Sequence, residues 1–377
     1  MATTIFSEMS ALALEHEAIN LGQGFPDTPG PREVVDAAVA AMHRGQNQYP
    51  PAIGVAPLRQ AIAEHQRRFY GIELDPDTQV VVCAGASEAL SSAMTALLSP
   101  GDEVVTLEPY YDLYDATSAL VGARLVPVRI TAPDWALDPQ RLRDAITPRT
   151  RMILLNSPHN PTGAVLSRDE LAAVADVAIE HDLLVLTDEV YEHLVFAPAE
   201  HVSLATLPGM RERTLVVSSG GKTFNTTGWK IGWVCGPAPL VSAVRTAKQF
   251  LTYVNGGPFQ PAIAAGLRLP DAWFRHVAHA LGQHRDLLVT GLAEAGLPVI
   301  SPQATYFATV DVRPVQPDGD GWAFCRSLPE RAGVVAVPTE VFYDAAHADL
   351  GRHLVRFAFC KKEEVLGEAV ARLRRMR

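Results

Sequence analysis

The sequence around Lys222 suggests that this lysine has a role in catalysis or ligand binding. It lies in "SSGGKTFNTTGWKIGW" (residues 218–233), directly after the apolar run "TLVV". A Gly-Lys-Thr triplet suggests the phosphate loop of a nucleotide hydrolase, which needs another glycine five positions before Gly221 and a helix after the lysine. Val216 occupies that position, and Gly228 interrupts any helix that would follow. The spacing therefore excludes a phosphate loop, and the lysine amine requires another role.

Three more groups of small and polar residues follow predicted strands. They are "AGASEAL" (84–90), "NSPHNPTG" (156–163) and "TDEVY" (187–191). In open α/β sheets, ligands bind at the carboxyl ends of the strands. The small residues of 84–90 leave backbone N–H groups free at a helix start, which suits an anion such as phosphate, and Ser87 adds a hydroxyl. Taken singly, each group also fits an ordinary turn, and Asp188 also fits a helix cap.

Taken together, these groups describe a site for pyridoxal 5′-phosphate: a phosphate cradle, an acid, a contact for a planar ring and a lysine. The aldehyde of this cofactor forms an imine with a lysine amine. A carboxylate opposite the pyridine nitrogen keeps the ring protonated, so that the ring withdraws electrons. The sequence therefore predicts that Lys222 and Asp188 act on this cofactor.

The elements that must position these groups alternate between short apolar runs and amphipathic stretches of helical length. The apolar runs are "QVVVCAGA", "DEVVTLEP", "ARLVPVRI", "RMILLNSP", "DLLVLTDE", "TLVVSS" and "IGWVCG". Continuous apolar runs are typical of strands buried on both faces. The predicted helices between them are "SEALSSAMTALLS", "YDLYDATSALVG" and "SRDELAAVADVAIEHD", the last with a Ser–Glu capping box at its start. This order predicts an α/β fold with a mostly parallel seven-stranded sheet flanked by helices.

A change of pattern predicts a second, smaller domain. The stretch "NGGPFQPAIAAGLRLPDAW" ends the strand–helix alternation, and a long helical pattern and the strands "TYFATVDV", "VVAVP" and "HLVRFAFC" follow it. We expect a large cofactor-binding domain over residues 36–270 and a small α+β domain over 271–377. Residues 1–35 are expected to pack with the small domain, because "LGQGFPDTPGP" is a loop that precedes the large one.

The composition limits the compartment and the partners. The formal net charge of −10 argues against a general affinity for nucleic acid. The four scattered cysteines form no Cys-x-x-Cys pair, so we expect small core residues in a reducing compartment. No apolar run approaches the length of a membrane span, and the first residues do not resemble a signal peptide. We expect a cytoplasmic protein with no membrane partner. His276 and His279 are expected to be solvated, and no metal site is expected.

The order of motifs along the chain resembles that of class I/II aminotransferases in the fold-type-I superfamily of pyridoxal-phosphate enzymes. The matching motifs are "NLGQGFPD", "NQYPP", "NSPHNPTGAVLS", "TDEVYEHLVF", "KTFNTTGWKIGW" and "LVRFAFCK", which cover essentially the whole chain. The most similar branch contains kynurenine, methionine and N-succinyldiaminopimelate aminotransferases and glutamine transaminase K. The resemblance implies transfer of the amino group of an L-amino acid to a 2-oxo acid by ping-pong chemistry.

The resemblance also implies roles for individual residues near the cofactor ring. Lys222 resembles the Schiff-base lysine, which is also the base that moves a proton between the substrate Cα and the cofactor C4′. Asp188 resembles the carboxylate paired with the pyridine nitrogen. Tyr191 and Asn160 resemble the groups that hydrogen-bond the ring hydroxyl, and Tyr111 resembles the aromatic residue that stacks on the ring.

Further positions match the contacts of the phosphate and the substrate. The implied phosphate contacts are Ala86, Ser87, Ser219 and Lys230. Tyr49 of "NQY" resembles a phosphate contact that the partner subunit of a homodimer contributes. Arg356 resembles the guanidinium that binds the substrate α-carboxylate through two parallel hydrogen bonds, with Asn160 and the backbone of Gly24 nearby.

Two other functions stay open at this point. A carbon–sulfur β-lyase is the nearest enzymatic alternative, because the same fold also supports β-elimination. A non-catalytic cofactor-binding regulator is disfavoured by the short N-terminal extension and the negative charge. The substrate stays open as well, since Arg356 recognises only a carboxylate common to all amino acids. The resemblance favours N-succinyldiaminopimelate or another specialised biosynthetic amino acid.

Overall fold

The computed structural model of the protein describes residues 5–376. The first four residues of the predicted N-terminal segment and the last residue of the predicted C-terminal domain lie outside this range. The strands are, in chain order, β1 (Ile19–Asn20), β2 (Val80–Ala84), β3 (Glu103–Glu108), β4 (Arg124–Arg129), β5 (Thr150–Asn156), β6 (Leu184–Asp188), β7 (Thr214–Ser219), β8 (Ile231–Cys235), β9 (Val299–Ile300), β10 (Phe307–Asp311), β11 (Val334–Val335), β12 (Val337–Pro338) and β13 (Leu354–Ala358).

The α-helices are, in chain order, α1 (Ile5–Glu15), α2 (Arg32–His43), α3 (Ala56–Tyr70), α4 (Gly85–Leu97), α5 (Leu113–Leu120), α6 (Pro139–Asp144), α7 (Arg168–Glu180), α8 (Gly220–Thr223), α9 (Ala238–Lys248), α10 (Phe259–Leu267), α11 (Asp271–Glu294), α12 (Gly321–Ala332) and α13 (Glu363–Arg374).

Seven strands form one sheet in the order β2-β8-β7-β6-β5-β3-β4. Its strand pairs are parallel except for the two that β8 makes with β2 and β7. The seven apolar runs of the sequence are these seven strands. The predicted α/β fold with a mostly parallel seven-stranded sheet is therefore confirmed.

This sheet is buried on both faces, which explains its continuous apolar runs. In β3, Val104 belongs to a core cluster that includes residues of α4 and α9, whereas Val105 belongs to a cluster that includes residues of α7. Successive side chains of a strand point to opposite faces, so consecutive apolar residues fill both sides. Helix α7 begins at the predicted capping box, in which the Ser167 N–H donates to the Glu170 carboxylate at 2.8 Å and the Glu170 N–H donates to Ser167 Oγ at 3.2 Å.

A second sheet of four antiparallel strands, in the order β12-β13-β10-β9, lies in the C-terminal part of the chain. The segment "VVAVP", predicted as one strand, is divided into β11, which pairs with β1, and β12, which pairs with β13. The single-strand prediction is wrong because the two halves bond to different sheets. The β1–β11 pair joins the N-terminal segment to the C-terminal part, and Met9 shares a core cluster with Phe357. The predicted domain boundaries stay a prediction.

Helix α11 contains the longest helical pattern that the sequence predicted. Only one face is buried, with Phe274, Leu288 and Leu292 among its buried residues. His276 and His279 are exposed on it, as expected of solvated helix residues. None of the helices within residues 5–376 is both long and apolar enough to span a membrane. The four cysteines are free thiols buried in the core, as predicted.

Candidate active site

The directions of the strands bring the predicted site residues to one edge of the large sheet. Strands β3, β5, β6 and β7 run parallel, so the segments that follow their carboxyl ends meet at the same edge. These segments carry Tyr111, Asn160 and Lys222, and Asp188 is the last residue of β6. Strand β8 runs in the opposite direction, so Lys230, the residue before its start, also lies at this edge.

The strand ends border a cavity of about 380 Å³. The predicted site residues that line it are Gly24, Ala86, Ser87, Tyr111, Asn160, Asp188, Tyr191, Ser219, Lys222, Lys230 and Arg356. A volume of this size is typical of small-molecule sites, which span roughly 300–1,000 Å³. Among the described residues that line the cavity, the cations are Lys222, Lys230 and Arg356, and the carboxylate is Asp188. The cavity therefore suits an anionic ligand.

The start of helix α4 forms a cradle of backbone N–H groups. Ala86 and Ser87 lie in its first turn, where N–H groups have no partner within the helix. A Cβ atom at Gly232 would lie 2.6 Å from the Ala86 nitrogen, so only glycine allows β8 to pack this closely. The Nζ atom of Lys230 lies 3.2 Å from the position of a Cβ atom on Gly85, which has a φ of +75°. A helix start beside an ammonium group is a site for phosphate.

Asp188 places a buried carboxylate in the cavity. The hydroxyl of Tyr114 donates to its Oδ2 at 2.8 Å, and the Asn156 side-chain amide donates to its backbone oxygen at 2.8 Å. Burial is the largest influence on this carboxyl group and raises its pKa to about 6. A buried carboxylate is stabilised by a cationic partner, such as a protonated pyridine nitrogen.

Lys222 lies in the short helix α8, directly after β7. Its Nζ donates to the hydroxyl oxygen of Tyr306 at 2.9 Å and lies 5.7 Å from the ring centre of Tyr191. Burial lowers the pKa of Lys222 to about 8. A larger fraction of this amine is therefore neutral near pH 7 than for an exposed lysine. The neutral amine is the form that attacks a carbonyl group or accepts a proton.

Arg356 presents a buried guanidinium from β13. Its Nη1 donates to Asn160 Oδ1 at 2.8 Å, and its Nη2 donates to the Gly22 carbonyl oxygen at 3.2 Å. The ring centre of Phe307 lies 3.9 Å from its Cζ, and burial lowers its pKa to about 10. Its Nε is buried without a hydrogen-bond partner among the described residues. A buried guanidinium with a free donor fits the carboxylate of a ligand.

The loop that carries Asn160 is held by His159, for which the sequence indicated no role. Its Nδ1 lies 2.7 Å from Thr162 Oγ1, and its ring is hydrogen-bonded to the backbone of Pro109. Burial lowers the pKa of His159 to about 4, so the ring is neutral near pH 7. His159 therefore ties this loop to the segment that precedes Tyr111.

Tyr111 and Tyr191 are the aromatic residues predicted to contact the cofactor ring. Burial raises the pKa of both phenols, so both stay protonated near pH 7 and keep a proton to donate. The Tyr111 ring meets Tyr114 edge-on at 5.8 Å, and the Tyr191 ring meets Tyr306 edge-on at 5.4 Å. Their orientations are therefore fixed by neighbouring rings.

Tyr49 is the predicted site residue that does not line the cavity of its own chain. Its side chain is 82% exposed and contacts Tyr253 edge-on at 5.6 Å between ring centres. Phe250, in the same loop as Tyr253, is 81% exposed. The role of Tyr49 in the site of a partner subunit stays a prediction.

The residues of this cavity fit pyridoxal 5′-phosphate. The helix start and Lys230 match a phosphate, the buried carboxylate of Asp188 matches a protonated pyridine nitrogen, and the amine of Lys222 matches an aldehyde. The unpartnered Nε of Arg356 leaves a donor for a substrate carboxylate. The cavity therefore offers a group suited to the phosphate, the pyridine nitrogen, the aldehyde and the substrate carboxylate.

Three residues of the site were not identified from the sequence: Tyr114, Asn156 and Tyr306. A signal existed for two of them. Tyr114 is three residues after Tyr111 in a predicted helix, and such residues lie on the same face. Asn156 is a polar residue at the carboxyl end of a buried strand. Tyr306 lies at the start of a predicted strand of the other sheet, and no sequence pattern places it beside Lys222.

Comparisons with known proteins agree with this geometry. The profile of the family described as aminotransferase class I and II matches residues 16–373. A probable N-succinyldiaminopimelate aminotransferase of Mycobacterium tuberculosis is 52% identical over 99% of this chain and 96% of its own. The methionine aminotransferase of Escherichia coli is 41% identical over 100% of this chain and 96% of its own. The solved structure of the N-succinyldiaminopimelate aminotransferase from M. tuberculosis has a TM-score of 0.97 and covers 100% of this chain and 98% of that chain.

Proposed function

The chain belongs to the class I and II aminotransferases, which depend on pyridoxal 5′-phosphate, and we propose that N-succinyldiaminopimelate is its amino acid substrate. The other substrate is a 2-oxo acid. The choice of amino acid rests on 52% identity to the mycobacterial relative over almost the whole chain, against 41% for the methionine enzyme. The single observation that carries the reaction type is that Lys222, Asp188 and Arg356 line the same cavity.

Pyridoxal 5′-phosphate, when bound, supplies a carbonyl group that reacts with amines and a ring that withdraws electrons from the substrate Cα. The residues proposed to hold its phosphate are Ala86, Ser87, Ser219 and Lys230. Asp188 would hold the proton on the pyridine nitrogen, since burial makes an uncompensated carboxylate costly. Tyr191 and Asn160 would bind the ring hydroxyl, and Tyr111 would contact the face of the ring.

Lys222 is proposed to move the proton between the substrate Cα and the cofactor C4′. Its lowered pKa supports this role, because a base works best when its pKa lies near the working pH. Arg356 would bind the α-carboxylate and so present the Cα–H bond to the lysine. Asn160 supports that orientation through its 2.8 Å hydrogen bond with Arg356. Gly24 also lines the cavity, and its backbone is proposed to contact the same carboxylate.

We also propose that the enzyme is a homodimer with shared active sites and that it is cytoplasmic. The exposed rings of Tyr49, Tyr253 and Phe250 support the dimer, since large apolar side chains grouped at a surface are typical of an interface. Symmetric dimers are the commonest soluble oligomers. The four free, buried thiols support a reducing compartment.

The substrate proposal is tested by measuring kcat/KM for amine transfer from N-succinyldiaminopimelate, methionine and kynurenine, each with pyruvate, 2-oxoglutarate and oxaloacetate. We expect N-succinyldiaminopimelate to exceed the other two by at least about tenfold, which corresponds to about 1.4 kcal/mol of transition-state binding. A preference for methionine or kynurenine would contradict the proposal. Ammonia release from a cysteine conjugate, faster than any amine transfer, would indicate a β-lyase instead.

A further inference from the structure

Tyr306 lies between the amine of Lys222 and the N-terminal segment of the chain. Its hydroxyl oxygen accepts the hydrogen bond from Lys222 Nζ at 2.9 Å, and its hydroxyl proton is donated to the Gly24 carbonyl oxygen at 2.6 Å. The side chain is 1% exposed, and the ring of Tyr191 holds it edge-on. Because the hydroxyl both donates and accepts, its orientation is fixed.

The backbone directly before Tyr306 is strained. Thr305 has a φ of +68°, in the left-handed region that a β-branched residue rarely adopts. The strain is held by two hydrogen bonds, from the Thr305 N–H to the Leu194 carbonyl oxygen at 2.7 Å and from the Phe307 N–H to Thr305 Oγ1 at 3.2 Å. Strained backbone that the surroundings hold in place is a common feature of functional sites. Here it sets the direction of the Tyr306 side chain.

Gly24 packs directly against Tyr306. A Cβ atom at Gly24 would lie 2.7 Å from Tyr306 Cε2 and 2.5 Å from Phe307 Cζ, so any larger residue would displace the segment. Two residues earlier, the Gly22 carbonyl oxygen accepts a hydrogen bond from Arg356. Residues 22–24 are therefore held on one side by Arg356 and on the other by Tyr306.

We propose that Tyr306 is a positioning residue that couples the orientation of the Lys222 amine to the placement of residues 22–24. This inference rests on the proton-transfer role proposed above for Lys222. The phenol fixes the amine in one place because the Gly24 carbonyl oxygen in turn holds the phenol hydroxyl. Tyr306 does not itself carry the proton, since burial holds its pKa well above the usual value.

Besides Tyr306, the ionisable groups near the Lys222 amine include Tyr191, whose ring centre lies 5.7 Å from Nζ. Cys360, Asp188, Arg356 and Lys230 also act on the amine. They stay in place when only the hydroxyl of Tyr306 is removed. An acceptor stabilises the protonated form of a nitrogen, so loss of the hydroxyl lowers the pKa of the Lys222 nitrogen. Loss of a hydrogen bond of ordinary strength should lower this pKa by roughly 0.5–1 unit.

The test compares the holoenzyme of Tyr306→Phe with wild type and with Tyr343→Phe, which removes the hydroxyl of a buried tyrosine outside the cavity. One readout is the exchange of the substrate Cα–H with deuterium oxide. The other is the pH midpoint of the visible absorbance of the bound cofactor. For Tyr306→Phe we expect exchange to fall about 10- to 100-fold, in keeping with the cost of misplacing a reacting group. We expect the midpoint to fall as well, with both readouts unchanged in Tyr343→Phe.

If Tyr306 had only a structural role, Tyr306→Phe would lower the unfolding temperature and leave the absorbance midpoint at the wild-type value. That result would overturn the inference. Gly24→Ala provides a second test, because its Cβ atom would displace the contact between Gly24 and Tyr306 from the Gly24 side. We expect the exchange rate of the double variant Gly24→Ala/Tyr306→Phe to be no lower than that of the more impaired single variant. Losses that multiply would contradict the coupling. Full turnover by Lys222→Ala would overturn the proposed role of the lysine itself, which is a separate result.

Discussion

Asn160 and Arg356 are joined by a hydrogen bond of 2.8 Å although 196 residues separate them in the chain. Asn160 follows β5 of the large sheet, and Arg356 lies in β13 of the four-stranded sheet. The bond therefore crosses between the two sheets at the cavity. It connects a residue proposed to contact the cofactor with the residue proposed to bind the substrate carboxylate.

Arg356→Ala should weaken the binding of every amino acid and 2-oxo acid by a similar factor. Loss of a buried charge-assisted pair typically costs about 2–5 kcal/mol, because the other charge is left without a partner. The visible spectrum of the bound cofactor should be unchanged. KM values measured across several substrates test this, with the exposed Arg352→Ala as the control. Weakening confined to one class of substrate would mean that Arg356 recognises side chains instead.

Asp188→Asn should retain the cofactor and slow the reaction severely. The asparagine carries no charge, so it stabilises a protonated pyridine nitrogen less well, and the nitrogen loses its proton more easily. The unprotonated ring withdraws electrons from the substrate Cα poorly. The rate of Cα–H exchange with solvent measures this directly. Exchange in Asp188→Asn at nearly the wild-type rate would remove Asp188 from the proposed role.

In the cofactor-free protein, burial of the Asp188 carboxylate should make the free energy of unfolding depend on pH. Its folded-state pKa is raised to about 6, so its stabilising contribution is complete at low pH and is lost as the pH rises through that value. The free energy of unfolding of the wild type, relative to Asp188→Asn, should fall by about 1 kcal/mol between pH 5 and pH 7. Denaturant unfolding at the two pH values measures this difference. If the difference in unfolding free energy between wild type and Asp188→Asn does not vary with pH, burial does not raise the pKa of this carboxyl group.

The seven strands of the large sheet could be predicted from the sequence because strands buried on both faces leave continuous apolar runs, as in β3 and β7. The grouping of the site residues at one edge of this sheet could also be predicted, because parallel strands end at the same edge. Tyr306 could not be predicted, since its contact with Lys222 depends on how the second sheet sits against the first. The division of "VVAVP" into β11 and β12 was missed for a related reason: its two halves have partners that are distant in the chain.

The proposed shared site can be tested by mixing two inactive variants. If Tyr49 reaches the partner's cavity, a dimer of one Tyr49→Ala chain and one Lys222→Ala chain has one intact site and one site that lacks both side chains. Random pairing of equal amounts makes half of the dimers mixed, so roughly a quarter of wild-type activity should return. Mixed dimers without activity would place Tyr49 in the site of its own chain. A monomeric enzyme at working concentration would contradict the shared site altogether.

The most direct test of the proposed chemistry is turnover by Lys222→Ala. No other amine lies where Lys222 Nζ does, 5.7 Å from the ring centre of Tyr191 within the described part of the chain, so we expect multiple-turnover amine transfer to be abolished. The matched control is Lys362→Ala, which removes an exposed lysine and should retain wild-type activity. Multiple-turnover transfer by Lys222→Ala at nearly the wild-type rate, without an added amine, would contradict the assignment of this lysine and the site built around it.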